Sequence, residues 1–181
     1  NGKNKRTSVG PLKDIGGNIL SSDAEMAEAF NKCFASSFRK SGNIRRSPPT
    51  QYPTDRMLSS VSFRPDIVER KLAALKPSSA PGPDQIHPRL LRECARELST
   101  PMSLLFEKSM SEGVLPRDWK STNVTPIFKK GSKSAAVNYR PINLASVPSK
   151  VMESIIKDEI IAHLHNNELI KSSQHGFLPG R

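Results

Sequence analysis

Lys129, Lys130, Gly131 and Arg140 are the residues whose types and spacing best fit a defined chemistry, the handling of phosphate. Lysine is a compact point charge that tracks a triphosphate or a backbone phosphate, and arginine adds a planar fork that also stacks on a base. Gly131 lets the backbone turn tightly beside the cations. A β-prone run (Val124, Ile127, Phe128) leads into the two lysines, a polar loop follows, and Tyr139-Arg140-Pro141-Ile142 can return as a second strand. Between Arg117 and Lys150 stand seven cations (Arg117, Lys120, Lys129, Lys130, Lys133, Arg140, Lys150) and one anion, Asp118, which is six of the chain's net +11. So basic a hairpin between near-neutral flanks suits a polyanion. A solvated turn with incidental lysines is the alternative that charge and spacing leave open.

Other chemistries find less support. There is no GxSxG motif, and no Cys–His pairing is suggested by the spacing. Gly131-Ser132-Lys133 lacks the earlier glycine of a phosphate-binding P-loop. The acids lie mostly on helical stretches beside Arg or Lys, where their expected role is solvation rather than convergence on metal ions. Cys33 and Cys94 are the only cysteines, and each is expected as a buried small hydrophobe in a reducing compartment. His163 and His165, two apart in a helical pattern, point to different faces and are expected at the surface.

The elements that must position these cations follow from periodicity and breakers. The 181 residues suffice for one domain with a core, and 28 Lys+Arg against 17 Asp+Glu favour nucleic acid or an anionic surface as partner. Ser22 with Glu25 predicts a capping box, followed by Met26, Phe30, Cys33, Phe34 and Phe38 at helical spacing. Residues 39–60, with Arg45-Arg46, read as a linker. Pro65 opens a second helix with Ile67, Val68, Leu72 and Leu75 inward, and Pro88 a third with Leu90, Leu91, Cys94 and Leu98. Thr100-Pro101 is expected to start a fourth, with Met102, Leu105, Phe106 and Met110 in the core and Gly113 closing it. After the hairpin, Val147-Pro148-Ser149 leads into a long helix to about Leu164, with Val151, Met152, Ile155, Ile156, Ile160 and Leu164 on one face. No apolar run approaches membrane-spanning length. The fold class expected is α+β, mostly helical with a small antiparallel β-hairpin.

The order SAPGPD, PRLL, GVLPRDWK, VTPIFKKG, NYRPINLAS, KVMESII and QHGFLPGR resembles the reverse transcriptases of non-LTR (LINE-type) retrotransposons, in particular the Jockey- and CR1-like groups. The similarity covers roughly residues 60–181, and the AEAFNKCFASSF helix resembles the segment that precedes that domain. The resemblance implies a partial right-hand polymerase fold, comprising fingers and the start of the palm. Residues 1–60 would be an N-terminal extension and linker with one amphipathic helix, and 61–181 a partial reverse-transcriptase domain. It implies that Lys129 and Lys130 lie near template and incoming nucleotide and that Arg140 contacts the incoming dNTP. It also implies that Ser79, Pro81 and Gly82, with Lys120 and Lys133, hold template RNA. The implied partners are an RNA template, a DNA primer, dNTP and the palm and thumb of the parent polymerase, in an intracellular (nuclear or cytoplasmic) setting without a membrane.

The sequence departs from that family's pattern in one respect. The palm aspartate motif and the Tyr/Phe-Ala-Asp-Asp motif are both absent, and with them the carboxylates that would hold two Mg²⁺ ions. With Asn1 in place of Met, and Gly180-Arg181 soon after QHGF, the expectation is a piece of a longer enzyme. It would have no catalytic residue and no cofactor of its own, Mg²⁺ belonging to the full-length protein. A non-catalytic nucleic-acid-binding remnant is the second reading, and a helical protein-interaction module the third.

Overall fold

The computed structural model describes residues 9–14, 16–38 and 57–170. The Arg45-Arg46 pair and the QHGF segment at 174–177 lie outside the described residues. The chain divides into two compact units, Asn1–Pro48 with Val124–Asn143, and Pro49–Asn123 with Leu144–Arg181. Five helices and two small antiparallel strand pairs bear out the mixed, mainly helical class expected from the sequence. Among the described residues no helix is long and apolar enough to cross a membrane.

In the first unit, β1 (Leu12–Lys13) pairs with β2 (Ile19–Leu20), Leu12 opposite Leu20 and Lys13 opposite Ile19. Asp14 closes the turn between them by accepting from the Asn18 backbone N–H at 2.8 Å and side-chain amide at 3.0 Å. Helix α1 (Asp23–Ala35) starts on the expected capping box, with the Glu25 N–H donating to Ser22 Oγ at 3.2 Å and the Ser22 N–H to Glu25 Oε2 at 3.4 Å. The helix stops short of Phe38, which lies in the following bend and is exposed, so that aromatic is not core. Cys33 is half-buried rather than buried. The core of this unit is small: Leu12, Phe30 and Tyr139, with the Phe30 ring edge-on to Tyr139 at 4.9 Å.

The second unit holds α2 (Pro65–Ala73), α3 (Pro88–Glu93), α4 (Ala95–Glu112) and α5 (Val147–Asn166). Its core joins Phe63, Val68, Leu72, Met102, Phe106, Val151 and Ile155 among others, with Phe106 edge-on to both Phe63 and Trp119. Pro65 and Gly113 act as the sequence indicates, the latter closing α4 at φ 65°.

Helix α4 corrects the sequence reading in two ways. It begins at Ala95 rather than Thr100, so Pro101 sits inside it. Its buried face is Ala95, Ser99, Met102, Ser103, Phe106 and Ser109, a stripe that crosses the proline, and packing along it outweighs the one hydrogen bond that proline cannot donate. Leu105, Met110 and, on α3, Leu90 are exposed, while three serines face inward. Each serine has a carbonyl partner: Ser99 Oγ donates to Arg96 O at 2.7 Å and Ser109 Oγ to Val114 O at 2.7 Å, both nearby in sequence, while Ser103 Oγ donates to the distant Phe63 O. Small hydroxyls let α2 lie close against α4 where leucines would hold it off. Cys94, at the break between α3 and α4, is half-buried. On α5 the inward face is Val151, Met152 and Ile155, whereas Ile160 is exposed. His163 is half-buried, its ring near the Asn167 amide, rather than a surface side chain.

Candidate nucleic-acid interface

Strands β3 (Thr122–Phe128) and β4 (Tyr139–Ala145) form the hairpin expected from the sequence. Phe128 and Tyr139 face each other as an edge-on ring pair at 5.5 Å, and the Lys129 N–H donates to Asn138 O at 2.8 Å to close the ladder. Side chains alternate along a strand. Val124, Pro126, Tyr139, Pro141 and Asn143 line a groove of about 750 Å³ with Phe30 and Phe34 of α1. The other face therefore carries Ile127, Lys129, Arg140 and Ile142. All four are open to solvent, the isoleucines at 51% and 40%. The hairpin thus presents one cation from each arm beside two apolar side chains.

The crown, residues 129–138, carries Lys129, Lys130 and Lys133, all exposed. Gly131 takes φ 84°, a conformation strained for other residues, and a Cβ there would stand 2.7 Å from the Asn138 amide nitrogen. Lys133 Nζ lies 5.6 Å from the centre of the Phe128 ring, a cation–π distance. No acid occurs between Asp118 and Glu153. Among the described residues none of Lys129, Lys130, Lys133 and Arg140 is in an ion pair. The hairpin brings these four cations together, and their charge is left for an external anion.

The remaining residues implicated by sequence lie in the second unit. Lys120 ends the short helical turn Arg117–Lys120 and is exposed. Ser79 is exposed and Pro81 half-buried in the loop ahead of α3, while Gly82 is buried. A Cβ on Gly82 would meet Ser146 N at 2.6 Å and the Ala145 carbonyl carbon at 2.7 Å. The glycine is there because backbone lies against backbone where β4 runs into α5. Ser146 Oγ and Asp84 Oδ2 are buried with no hydrogen-bond partner among the described residues.

Sequence reasoning missed Asn138 and Tyr139. Asn138 Nδ2 donates to Ser132 O at 2.9 Å, and Tyr139 Oη to Lys133 O at 2.7 Å, so both hold the crown. The available signal was an amide and an aromatic at the mouth of the returning strand, directly before Arg140. Among the described residues no group of three or more His, Cys, Asp or Glu is placed to hold a metal ion.

A helical scaffold with an exposed basic ribbon is similar, in sequence, to part of the RNA-directed DNA polymerases of mobile elements. No family model matches the chain. It is 26% identical over 185 residues to a probable RNA-directed DNA polymerase from transposon X-element of Drosophila melanogaster, covering 98% of this chain and 20% of that protein. It is 29% identical over 121 residues to the RNA-directed DNA polymerase from mobile element jockey of the same species, covering 66% of this chain and 13% of the relative. The jockey polymerase of Drosophila funebris is 22% identical over 182 residues, covering 97% of this chain and 20% of the relative. The resemblance to non-LTR retrotransposon polymerases read from the motifs is borne out by these relatives. The chain spans a fifth or less of the curated relatives it matches.

Proposed function

We propose that this chain supplies the fingers portion of an RNA-directed DNA polymerase of a non-LTR retrotransposon, gripping template and incoming nucleotide. Four cations gathered on one preformed hairpin, none of them in an ion pair among the described residues and with no acid in the surrounding stretch, carry the reading. Lys129 and Lys130 would meet phosphates of template and incoming nucleotide and Arg140 those of the nucleotide, with Ile127 and Ile142 offering an apolar surface beside them. Ser79, Pro81, Gly82, Lys120 and Lys133 would contact template. The Mg²⁺ ions of a whole polymerase need converging carboxylates, and no such group stands among the described residues. On this reading the chain contributes binding and positioning, and its partners are RNA template, DNA primer, dNTP and the remainder of the polymerase.

Titration of a labelled single-stranded RNA against salt tests the reading. Electrostatic binding gives a log–log slope near −0.7 per phosphate neutralised on a single strand, so the triple variant Lys129→Ala, Lys130→Ala, Arg140→Ala should flatten the slope by about 2. An unchanged slope removes the hairpin from the function. With a primed template, dNTP and Mg²⁺, the chain alone is expected to incorporate nothing, and measurable extension would overturn the division of labour.

A further inference from the structure

Three consecutive carbonyls of the crown are each held by a donor from beyond the Ser132–Ala135 turn. Ser132 O accepts from Asn138 Nδ2 at 2.9 Å, Lys133 O from Tyr139 Oη at 2.7 Å, and Ser134 O from the Lys13 backbone N–H of β1 at 2.7 Å. A β-turn needs none of these bonds, since its own closure is already supplied by Ala135 N–H to Ser132 O at 3.3 Å and Asn138 N–H to Ala135 O at 3.0 Å. The extra donors have an electrostatic consequence. Carbonyl oxygens left outward beside Lys130 and Lys133 would repel an approaching phosphate. Satisfied from within the unit, they leave the cationic side chains as the surface an anion meets.

Tyr139 has hold of Lys133 at two points. Its phenol fixes the Lys133 carbonyl, and its ring braces Phe128, over which the Lys133 ammonium rests at 5.6 Å. The ring is anchored in turn against Phe30 of α1. A chain of contacts therefore runs from the small core through Tyr139 to the crown's charge. We propose that Tyr139 and Asn138 are positioning residues, tethering the crown carbonyls so that Lys130 and Lys133 are presented to a nucleic-acid phosphate backbone in a fixed arrangement. The proposal rests on the polyanion-binding reading of the same hairpin, and Lys13 and Phe30 make the segment ahead of the hairpin part of its support.

Tyr139→Phe isolates the tether, because it keeps the ring in the core and removes only the hydroxyl. In the full chain, the amide of Ala135 should exchange faster in this variant, and labelled single-stranded RNA should bind about 2- to 10-fold more weakly at low salt, the range that one lost hydrogen bond allows. The salt slope should become shallower because fewer cations reach the strand together. A residue that served only the core would shift the melting temperature and leave affinity and slope alone. Asn138→Ala, outside the small core cluster, should reproduce the loss, and decides the matter if Tyr139→Phe folds poorly. Wild-type affinity and slope in Asn138→Ala overturn the proposal. If the wild type itself shows no salt-dependent RNA binding, the functional reading falls separately. The tether is then judged by exchange alone, and an unchanged Ala135 rate in both variants overturns it.

Discussion

The two compact units hold themselves together by different means. Among the described residues the helical unit has a core cluster of eleven buried side chains, from Phe63 to Ile155, whereas the hairpin unit has three: Leu12, Phe30 and Tyr139. Apolar burial is non-directional and scales with area, so the larger core fixes its helices with few specific bonds. The smaller one cannot fix a ten-residue crown that way, and there the positions are set by directed hydrogen bonds to Ser132, Lys133 and Ser134. The basic ribbon is exposed, so its order has to come from polar tethers rather than burial.

The largest expected effect tests the helical side of that contrast. Phe106→Ala removes a fully buried ring packed against Phe63 and Trp119 and should cost about 3–5 kcal/mol, read by chemical denaturation. A cost under about 1 kcal/mol would mean the apolar cluster is not what holds this unit.

Gly82→Ala comes next. Its new Cβ would stand 2.6 Å from Ser146 N, and backbone cannot step aside as a flexible side chain can. An overpacking cost of about 1–3 kcal/mol is expected, with increased amide exchange at the start of α5. Wild-type stability would show that the loop does not lie against that junction in solution.

The smallest effect concerns the ion pair of Lys71 on α2 with Asp158 on α5. The hydrogen bond from Lys71 is the main cause holding the Asp158 carboxyl below its usual 3.8; burial opposes it, and the Lys71 charge and Lys157 add weaker lowering effects. A folded-state value below the unfolded one gives stability that is complete above the unfolded value and is lost as pH falls through the folded one. Asp158 is half exposed, so solvent screening limits the pair to about 0.5 kcal/mol or less. Wild type should therefore melt slightly above Asp158→Asn near neutral pH, and the gap should close below pH 3.8. A gap that persists in acid would assign the effect to packing.

Much of the scaffold was legible because its signals are local. Ser22 and Glu25 cap α1, Pro65 opens α2 and Gly113 closes α4, each through geometry confined to a few neighbouring residues. Helix α4 was misplaced because Pro101 is a strong local stop that a continuous buried face overrides. Its inward serines were missed because hydropathy ranks leucine for the core, whereas close approach to α2 selects small side chains. The cations of the candidate site were visible as charge, but Asn138 and Tyr139 were not, since their partners are backbone carbonyls that no sequence pattern marks.

By itself, then, the sequence determined where α1, α2, α3, α5 and the two hairpin strands begin, that six net charges gather around one hairpin, and which polymerases the chain resembles. Those properties depend on residue type and short spacing. Only the tertiary structure decided that residues before Pro48 join Val124–Asn143 in one unit, and that Tyr139 links Phe30 to the Lys133 carbonyl. Both depend on contacts between residues far apart in the chain. A hydroxyl's choice of acceptor, and a ring's choice of neighbour, exist only once the backbone has brought those residues together.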